Sequence, residues 1–315
     1  MKYSIRFIGV SRDKCTNNAD AIIINWKDEK QEKIVLFDTG YKAHGEKIVE
    51  VLKNEYFSNT KNNIDSIIVS HYDKDHIGGA KYILENVNVE KLYINQPWNL
   101  TLENNDEDLT EKMQQEYFHS LKESYNDAFE IIKLAECKGT KVFDAYQNIS
   151  IDGRLFVASP SKKMVYEAAC TSNESIDSEL DLICENENSN VDINGLLINP
   201  KTTKINESSI VIVGNMIDEQ FILTADAGQD GLNNAINCIK ENGIDIEGLK
   251  LVQIPHHGSK ENLTSEIFTY LFSNKPIAII SLAQDKNPDE KILDICKKND
   301  IRVERTKGED FKYSN

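Results

Sequence analysis

Four of the six histidines fall in two tight clusters, and both clusters are built from side chains that bind metal ions. The first reads Ser70-His71-Tyr72-Asp73-Lys74-Asp75-His76-Ile77-Gly78-Gly79, so that His71, Asp73, Asp75 and His76 offer imidazole and carboxylate over six consecutive positions. The second reads Ile254-Pro255-His256-His257-Gly258-Ser259. Between them, Phe221-Ile222-Leu223-Thr224-Ala225-Asp226-Ala227-Gly228 places a lone carboxylate just past an apolar run. Imidazole combined with carboxylate suits zinc, manganese or iron. One His near one Asp would carry little weight; four ligand types in this order carry much more. His44 and His119 stand alone and read as surface or helix-face residues.

Each ligand set follows a stretch that reads as a strand, over 64–69, 220–223 and 249–254. A strand end followed by a turn lets side chains converge on one point, and the Gly-Gly after His76 permits close backbone approach. The same alternation runs through the rest of the chain. Residues 2–8 alternate polar and apolar. The β-branched runs 21–26 and 33–37, with the polar stretch 27–32 between them, predict a hairpin that ends in the turn Phe37-Asp38-Thr39-Gly40. Residues 45–56 predict a helix. In the middle, Leu109, Met113, Tyr117, Leu121, Tyr125, Phe129 and Ile132 recur every three or four residues. They predict one long helix over 109–132, opened by Asp106-Glu107-Asp108. It is either a packing helix or a contact for a homodimer or protein partner. Residues 170–190 carry six acids and no base, and read as a solvated loop or a lid. Strands over 209–213, 220–223, 249–254, 277–281 and 301–304, with a helix over 231–240, complete an α/β pattern. No linker divides it.

Composition sets the outer limits. The 315 residues suffice for one large domain and need neither metal nor disulfide simply to fold. The formal net charge of −16 argues against a whole-surface binder of nucleic acid or membrane. It does not exclude a nucleic-acid enzyme with a local cation. The six cysteines are scattered without CxxC, which predicts reduced thiols. The N-terminal run is broken by Arg6 and does not read as a signal peptide, and no apolar run approaches the ~18 residues of a membrane helix. The expectation is a soluble, cytoplasmic protein without a membrane partner.

These motifs together resemble the metallo-β-lactamase-fold hydrolases, and most nearly the hydrolase domain of the DNA-uptake channel ComEC and its free-standing soluble relatives. The resemblance covers most of the chain. Asp20-Ala21-Ile22-Ile23 and Leu36-Phe37-Asp38-Thr39-Gly40 are similar to the family's opening strands, and His71 to Gly79 to its signature loop. Thr224-Ala225-Asp226-Ala227 is similar to its bridging-carboxylate strand, Pro255 to Ser259 to its final histidine motif, and Arg305-Thr306-Lys307-Gly308 to its closing segment. The resemblance implies a four-layer αββα sandwich, a single domain over 1–315 with an insertion of roughly 99–205. It implies one or two divalent ions, Zn or Mn. His71 and Asp73 would hold the first, Asp75, His76 and His257 the second, and Asp226 would bridge. His256 would line the site or donate to substrate. The broad family has His where this chain has Asp73, and a further histidine near mid-chain; here the stretch around 204–211, expected as a strand, offers Asn206 instead. Both departures follow the ComEC-like branch and harden the site towards manganese.

The implied activity is metal-dependent hydrolysis of a phosphodiester in DNA, RNA or a nucleotide, with Asp75, Asp226 and His256 as catalytic groups. The alternatives are a hydrolase of a small phosphoester or cyclic nucleotide, and a partner-binding subunit with a vestigial site. Asp38 reads as a turn former or a group behind the ligands, Thr39 and Ser259 as satisfying local backbone, and Tyr72 and Lys74 as loop residues able to touch an anionic substrate.

Overall fold

A computed structural model of the chain describes residues 1–29, 31–103, 125–172, 191–192, 196 and 202–315. Two seven-stranded sheets form its centre. The first contains β1 (Lys2–Phe7), β2 (Ala21–Lys27), β3 (Glu32–Thr39), β4 (Asn63–Ile68), β5 (Asn88–Tyr93), β6 (Lys141–Phe143) and β14 (Phe311–Ser314), in the order β14-β1-β2-β3-β4-β5-β6. The second contains β7 (Ser150–Ile151), β8 (Leu155–Ser159), β9 (Val211–Met216), β10 (Glu219–Leu223), β11 (Leu249–Gln253), β12 (Ile277–Ile280) and β13 (Val303–Arg305), in the order β13-β12-β11-β10-β9-β8-β7. Each sheet is antiparallel on one side and parallel on the other: β3, β4, β5 and β6 run parallel, as do β10, β11, β12 and β13.

Three apolar clusters define four layers. Between the sheets, Ile22, Ile24, Trp26, Val35 and Phe37 meet Val157, Ile212, Phe221, Leu223, Leu251 and Ile279. The alternate residues Ile23, Ile34 and Leu36 turn outward, onto α1 (Lys42–Val51), α3 (Ala80–Asn86) and α5 (Asn126–Cys137). On the far side, Val213, Ile222, Val252 and Ile280 pack on α8 (Gln229–Glu241), α9 (Ser265–Phe272) and α10 (Glu290–Lys298). Strands covered on both faces have no polar side, which is why Ile22-Ile23-Ile24 and Ile34-Val35-Leu36-Phe37 are continuously apolar. The result is the expected αββα sandwich. The short helices α2 (Lys74–Ile77), α4 (Pro97–Glu103), α6 (Lys162–Ser172) and α7 (Lys204–Glu207) sit in connections.

Several expectations change. β6, β7 and β8 fall inside the stretch 99–205 set apart as an insertion, so part of that stretch is sheet; strands of two to five residues are too short to show a period. Tyr125, expected mid-helix, lies in a turn with φ −107° and ψ 32°, and α5 begins after it. The rest of the expected long helix, including His119, and most of the acidic stretch 170–190 lie outside the described residues. The stretch expected as a strand around Asn206 is the helical turn α7, because Thr203 Oγ1 accepts a hydrogen bond from Asn206 N at 3.1 Å and caps it. The five described cysteines are free. Among the described residues no helix is long and apolar enough to cross a membrane.

His44, expected on the surface or on a helix face, lies on the buried face of α1. It fits because residue 40 is glycine at φ +62°: a Cβ there would stand 2.6 Å from the His44 ring. Burial, reinforced by Lys47, lowers its pKa to about 4, so the ring is neutral at pH 7. The unfolded chain therefore takes up this proton first as pH falls. Stability is fully present above pH ~6.5 and declines as pH drops towards 4, by about 3 kcal/mol in total. Urea denaturation of wild type and His44→Phe across that range should show this component in the wild type only; parallel curves would contradict it.

Candidate metal centre

The parallel halves of the two sheets explain where the ligands meet. Parallel neighbours bring their C-terminal ends to the same edge, and the connections leaving those ends form a crevice there. Asp38 ends β3, the segment 70–76 follows β4, Asp226 follows β10, and His256 and His257 follow β11. Gly79 N donates to Gly40 O at 2.7 Å, and Thr39 Oγ1 donates to His76 O at 2.8 Å. A Cβ on Gly79 would stand 2.3 Å from Thr39 O, so only glycine lets the signature loop close on the β3 turn. Asp38, Ala225, His256 and His257 all have left-handed backbones, φ +56°, +47°, +47° and +52°. Such non-glycine conformations each cost about 1 kcal/mol or more and concentrate at functional sites.

The imidazoles share one orientation. His76 Nδ1 lies 2.8 Å from Asp38 Oδ2, and His257 Nδ1 lies 3.0 Å from Ser281 O. Both partners only accept, so both Nδ1 atoms carry the proton. Ser70 Oγ donates to Asp38 Oδ2 at 2.7 Å and lies 3.0 Å from His71 Nδ1, which therefore donates to it. With each Nδ1 committed, each Nε2 turns inward, and the facing atoms are carboxylates. His71 Nε2 is 3.5 Å from Asp73 Oδ2, His76 Nε2 is 3.4 Å from Asp226 Oδ1 and 3.8 Å from Asp75 Oδ2, and His257 Nε2 is 3.3 Å from Asp75 Oδ2. The His71 and His76 rings are 4.1 Å apart. Holding a ligating imidazole through its other nitrogen is the common second layer of a metal site.

His71 Nε2, His76 Nε2, Asp226 Oδ1 and Asn206 Oδ1 are buried without a hydrogen-bond partner. Orphaned buried polar atoms are costly, and nitrogen with carboxylate oxygen is a donor set for a divalent cation. The residues present therefore fit such an ion. Burial resists charge on His76 and His257, yet Asp226 and the neighbouring carboxylates overcome it. They raise the pKa of His76, and lift that of His257 to about 9. Burial likewise opposes ionisation of Asp226, but His76 and His257 outweigh it and hold its pKa below the usual carboxylate range.

The geometry adds residues that motif reading did not place. Asp20 is buried beside His76, Asp226 and His257, and the four offer ligand atoms all within 4.8 Å of one another. Its signal was a single carboxylate abutting the apolar run of β2. Asn262 Nδ2 donates to the carbonyls of Asp226 and Ala227, each at 3.1 Å, which turns its Oδ1 to His256 Nδ1 at 3.2 Å. That fixes the His256 tautomer and leaves its Nε2 free, 3.6 Å from Asp226 Oδ2 at the open side. Gln253 Oε1 accepts from Thr224 N and Ala225 N, and Glu207 accepts from Gly231 N at 2.8 Å; both brace the Asp226 turn. Tyr72 does not face the crevice: it donates to Asn95 O at 2.6 Å and packs on Tyr125. Lys74 is exposed beside Asp127. Ser259 Oγ accepts from Glu261 N at 3.2 Å, a local role.

The family model described as the metallo-beta-lactamase superfamily matches residues 19–116, a span that holds the signature loop. The fold is that of the metallo-β-lactamase superfamily. Among solved structures, the metallo-beta-lactamase fold protein YhfI from Bacillus subtilis aligns over 100% of both chains at 10% identity, with a TM-score of 0.51. Zn2+-bound PqqB from Methylobacterium extorquens aligns over 99% of both chains at 9% identity, with a TM-score of 0.50. No curated protein sequence matches the chain. At 9–10% identity this likeness is one of fold.

Asp38 supplies the test of that reading. Asp38→Ala removes the acceptor of His76 Nδ1, Ser70 N and Ser70 Oγ together. Divalent-cation affinity measured by calorimetry should fall about 10- to 100-fold; an unchanged affinity would mean that His76 is not held for a metal.

Proposed function

We propose that the chain is a metal-dependent hydrolase of phosphodiesters in DNA, RNA or nucleotides. The observation that carries this reading is the set of imidazoles whose Nδ1 atoms are committed and whose Nε2 atoms converge on carboxylates, those of His71 and His76 without a hydrogen-bond partner and that of His257 on Asp75 Oδ2. His71 and Asp73 would hold one ion, Asp75, His76 and His257 a second, and Asp226 would serve both; the ions would be Zn2+ or Mn2+. Such a cation polarises a phosphoryl oxygen and lowers the pKa of water to about 7.

The chain's own residues supply the remainder. Asp75 and Asp226 accept hydrogen bonds from the attacking water and orient it. His256 takes a proton at Nε2, because Asn262 keeps its other nitrogen occupied, and returns it to the leaving oxygen as the P–O bond breaks. The phosphodiester assignment is supported by Asp73 and Asn206, the two departures that resemble the ComEC-like branch. Asn206 Oδ1 is buried and unpartnered, as an additional oxygen ligand would be.

The second reading, a small phosphoester or cyclic nucleotide, is favoured by the net charge of −16, which a long polyanion must approach. Rates on single-stranded DNA and on a cyclic nucleotide across a salt series separate the two, since a polyanion gives the steeper slope. Replacing both His76 and Asp226 by Ala should reduce hydrolysis of a chromogenic phosphodiester to the uncatalysed background. Chelation should do the same in the wild type, with Mn2+ or Zn2+ restoring it. Unchanged turnover in the double variant would sink the proposal.

A further inference from the structure

We infer that Asp20 is itself a ligand of the metal centre and biases it towards hard divalent cations such as Mn2+. The inference rests on the metal-centre reading above and extends it to a residue that the ligand set expected from the sequence leaves out. Asp20 N donates to Asp75 O at 3.1 Å, which locks this residue to the signature loop. Its side chain is 1% exposed, and no donor sits in hydrogen-bonding geometry on either carboxylate oxygen, although the Ser281 hydroxyl is near enough to favour the charged form. The nearest basic atom to Oδ2 is His76 Nδ1 at 3.9 Å, and that nitrogen is already committed to Asp38.

A carboxylate kept for folding would have donors around it; a buried one without them is destabilising. Asp38 provides the contrast inside the same centre, with Ser70 N, Ser70 Oγ and His76 Nδ1 arranged on its two oxygens. Asp20 instead faces the gap between His76, Asp226 and His257, where all four ligand atoms lie within 4.8 Å of one another. Bond lengths of about 2.0–2.2 Å put two ligands of one ion up to about 4.4 Å apart, so closure by a few tenths of an ångström brings Asp20 into the same sphere. With Asp20, Asp75 and Asp226 against His76 and His257, oxygen donors outnumber nitrogen at this position, which favours Mn2+ relative to an imidazole-rich zinc site.

The test is Mn2+ and Zn2+ binding by calorimetry on the full chain, for wild type, Asp20→Asn and Asp20→Ala, together with thermal melts of the metal-free proteins. Mn2+ affinity should fall at least tenfold in both variants and Zn2+ affinity by less. The metal-free variants should melt above the metal-free wild type, because a buried carboxylate without donors has been removed. Wild-type Mn2+ affinity in the variants would overturn the inference while leaving the centre intact, and so would metal-free variants that melt lower. An equal loss for both ions keeps Asp20 as a ligand and overturns the selectivity. A wild type that binds neither ion would overturn the metal-centre reading, and this inference with it.

Discussion

The centre depends first on the hydrogen bond between His76 Nδ1 and Asp38 Oδ2. Asp38 sits where β3 ends, in a left-handed backbone that turns its carboxylate under β4. From there it holds Ser70 N, Ser70 Oγ and His76, and through Ser70 it reaches His71. One buried carboxylate thereby sets the rotation of two imidazoles and ties two strand ends together. The second sheet reaches the same end by other groups: a carbonyl, Ser281 O, orients His257, and an amide, Asn262, orients His256. The shared principle is that every imidazole is held by the nitrogen that does not face the crevice. The left-handed turns at Asp38, Ala225, His256 and His257 are a consequence, since each must leave a strand abruptly to bring a side chain back over the sheet edge.

The sandwich makes this possible because it is closed on both sides. Helices cover the outer face of each sheet, so the strands can be apolar throughout and the polar groups are displaced to the strand ends. The parallel halves then collect those ends at one edge. Glu207, at the end of the helical turn α7, adds a buried carboxylate against Gly231 N, and burial raises its pKa. It packs so tightly that a Cβ on Gly228 would overlap its Oε1. The Asp226 turn is therefore braced from α7, from β11 through Gln253 and from Asn262, which leaves its carboxylate little freedom to turn away from the crevice.

The parts legible in the sequence are those with a local signal. β2, β3, β4, β10, β11 and β12 announce themselves by apolar, β-branched runs, and the ligand motifs by residue types placed just beyond those runs. Three kinds of feature were not legible. β6 to β8 are too short to display a period. The turn at Asn206 is decided by Thr203, whose cap competes with the strand pattern of the residues that follow. The supporting groups Asp20, Asn262 and Ser281 O act across large sequence separations: Ser281 lies 24 residues from His257, and Asn262 lies 36 residues from Asp226, so no local pattern connects them. Asp38 was legible as a turn former or a group behind the ligands, without its partners. Its partners lie 32 and 38 residues away, at Ser70 N and His76 Nδ1, beyond the reach of any local pattern.

The charge of the chain and the charge of the centre answer to different constraints. Asp20, Asp38 and Asp226 are buried side by side, with Asp75 half-buried and Asp73 exposed at the rim, and buried carboxylates cannot remain ionised without compensation. In the metal-free protein, protons provide it. Burial and the neighbouring Asp226 keep Asp20 above the usual carboxylate range, even against His257 and His76. Burial works against the imidazolium forms, but the carboxylates still hold His76 and His257 charged beyond their ordinary range. A divalent cation would supply the same compensation and leave each Nδ1 partner in place. The acidic excess of −16 is a property of the whole chain, whereas the crevice sets imidazoles against its carboxylates. Salt screens charges on the exposed surface over about 10 Å and acts far less on charges buried beside Asp38 and Asp20.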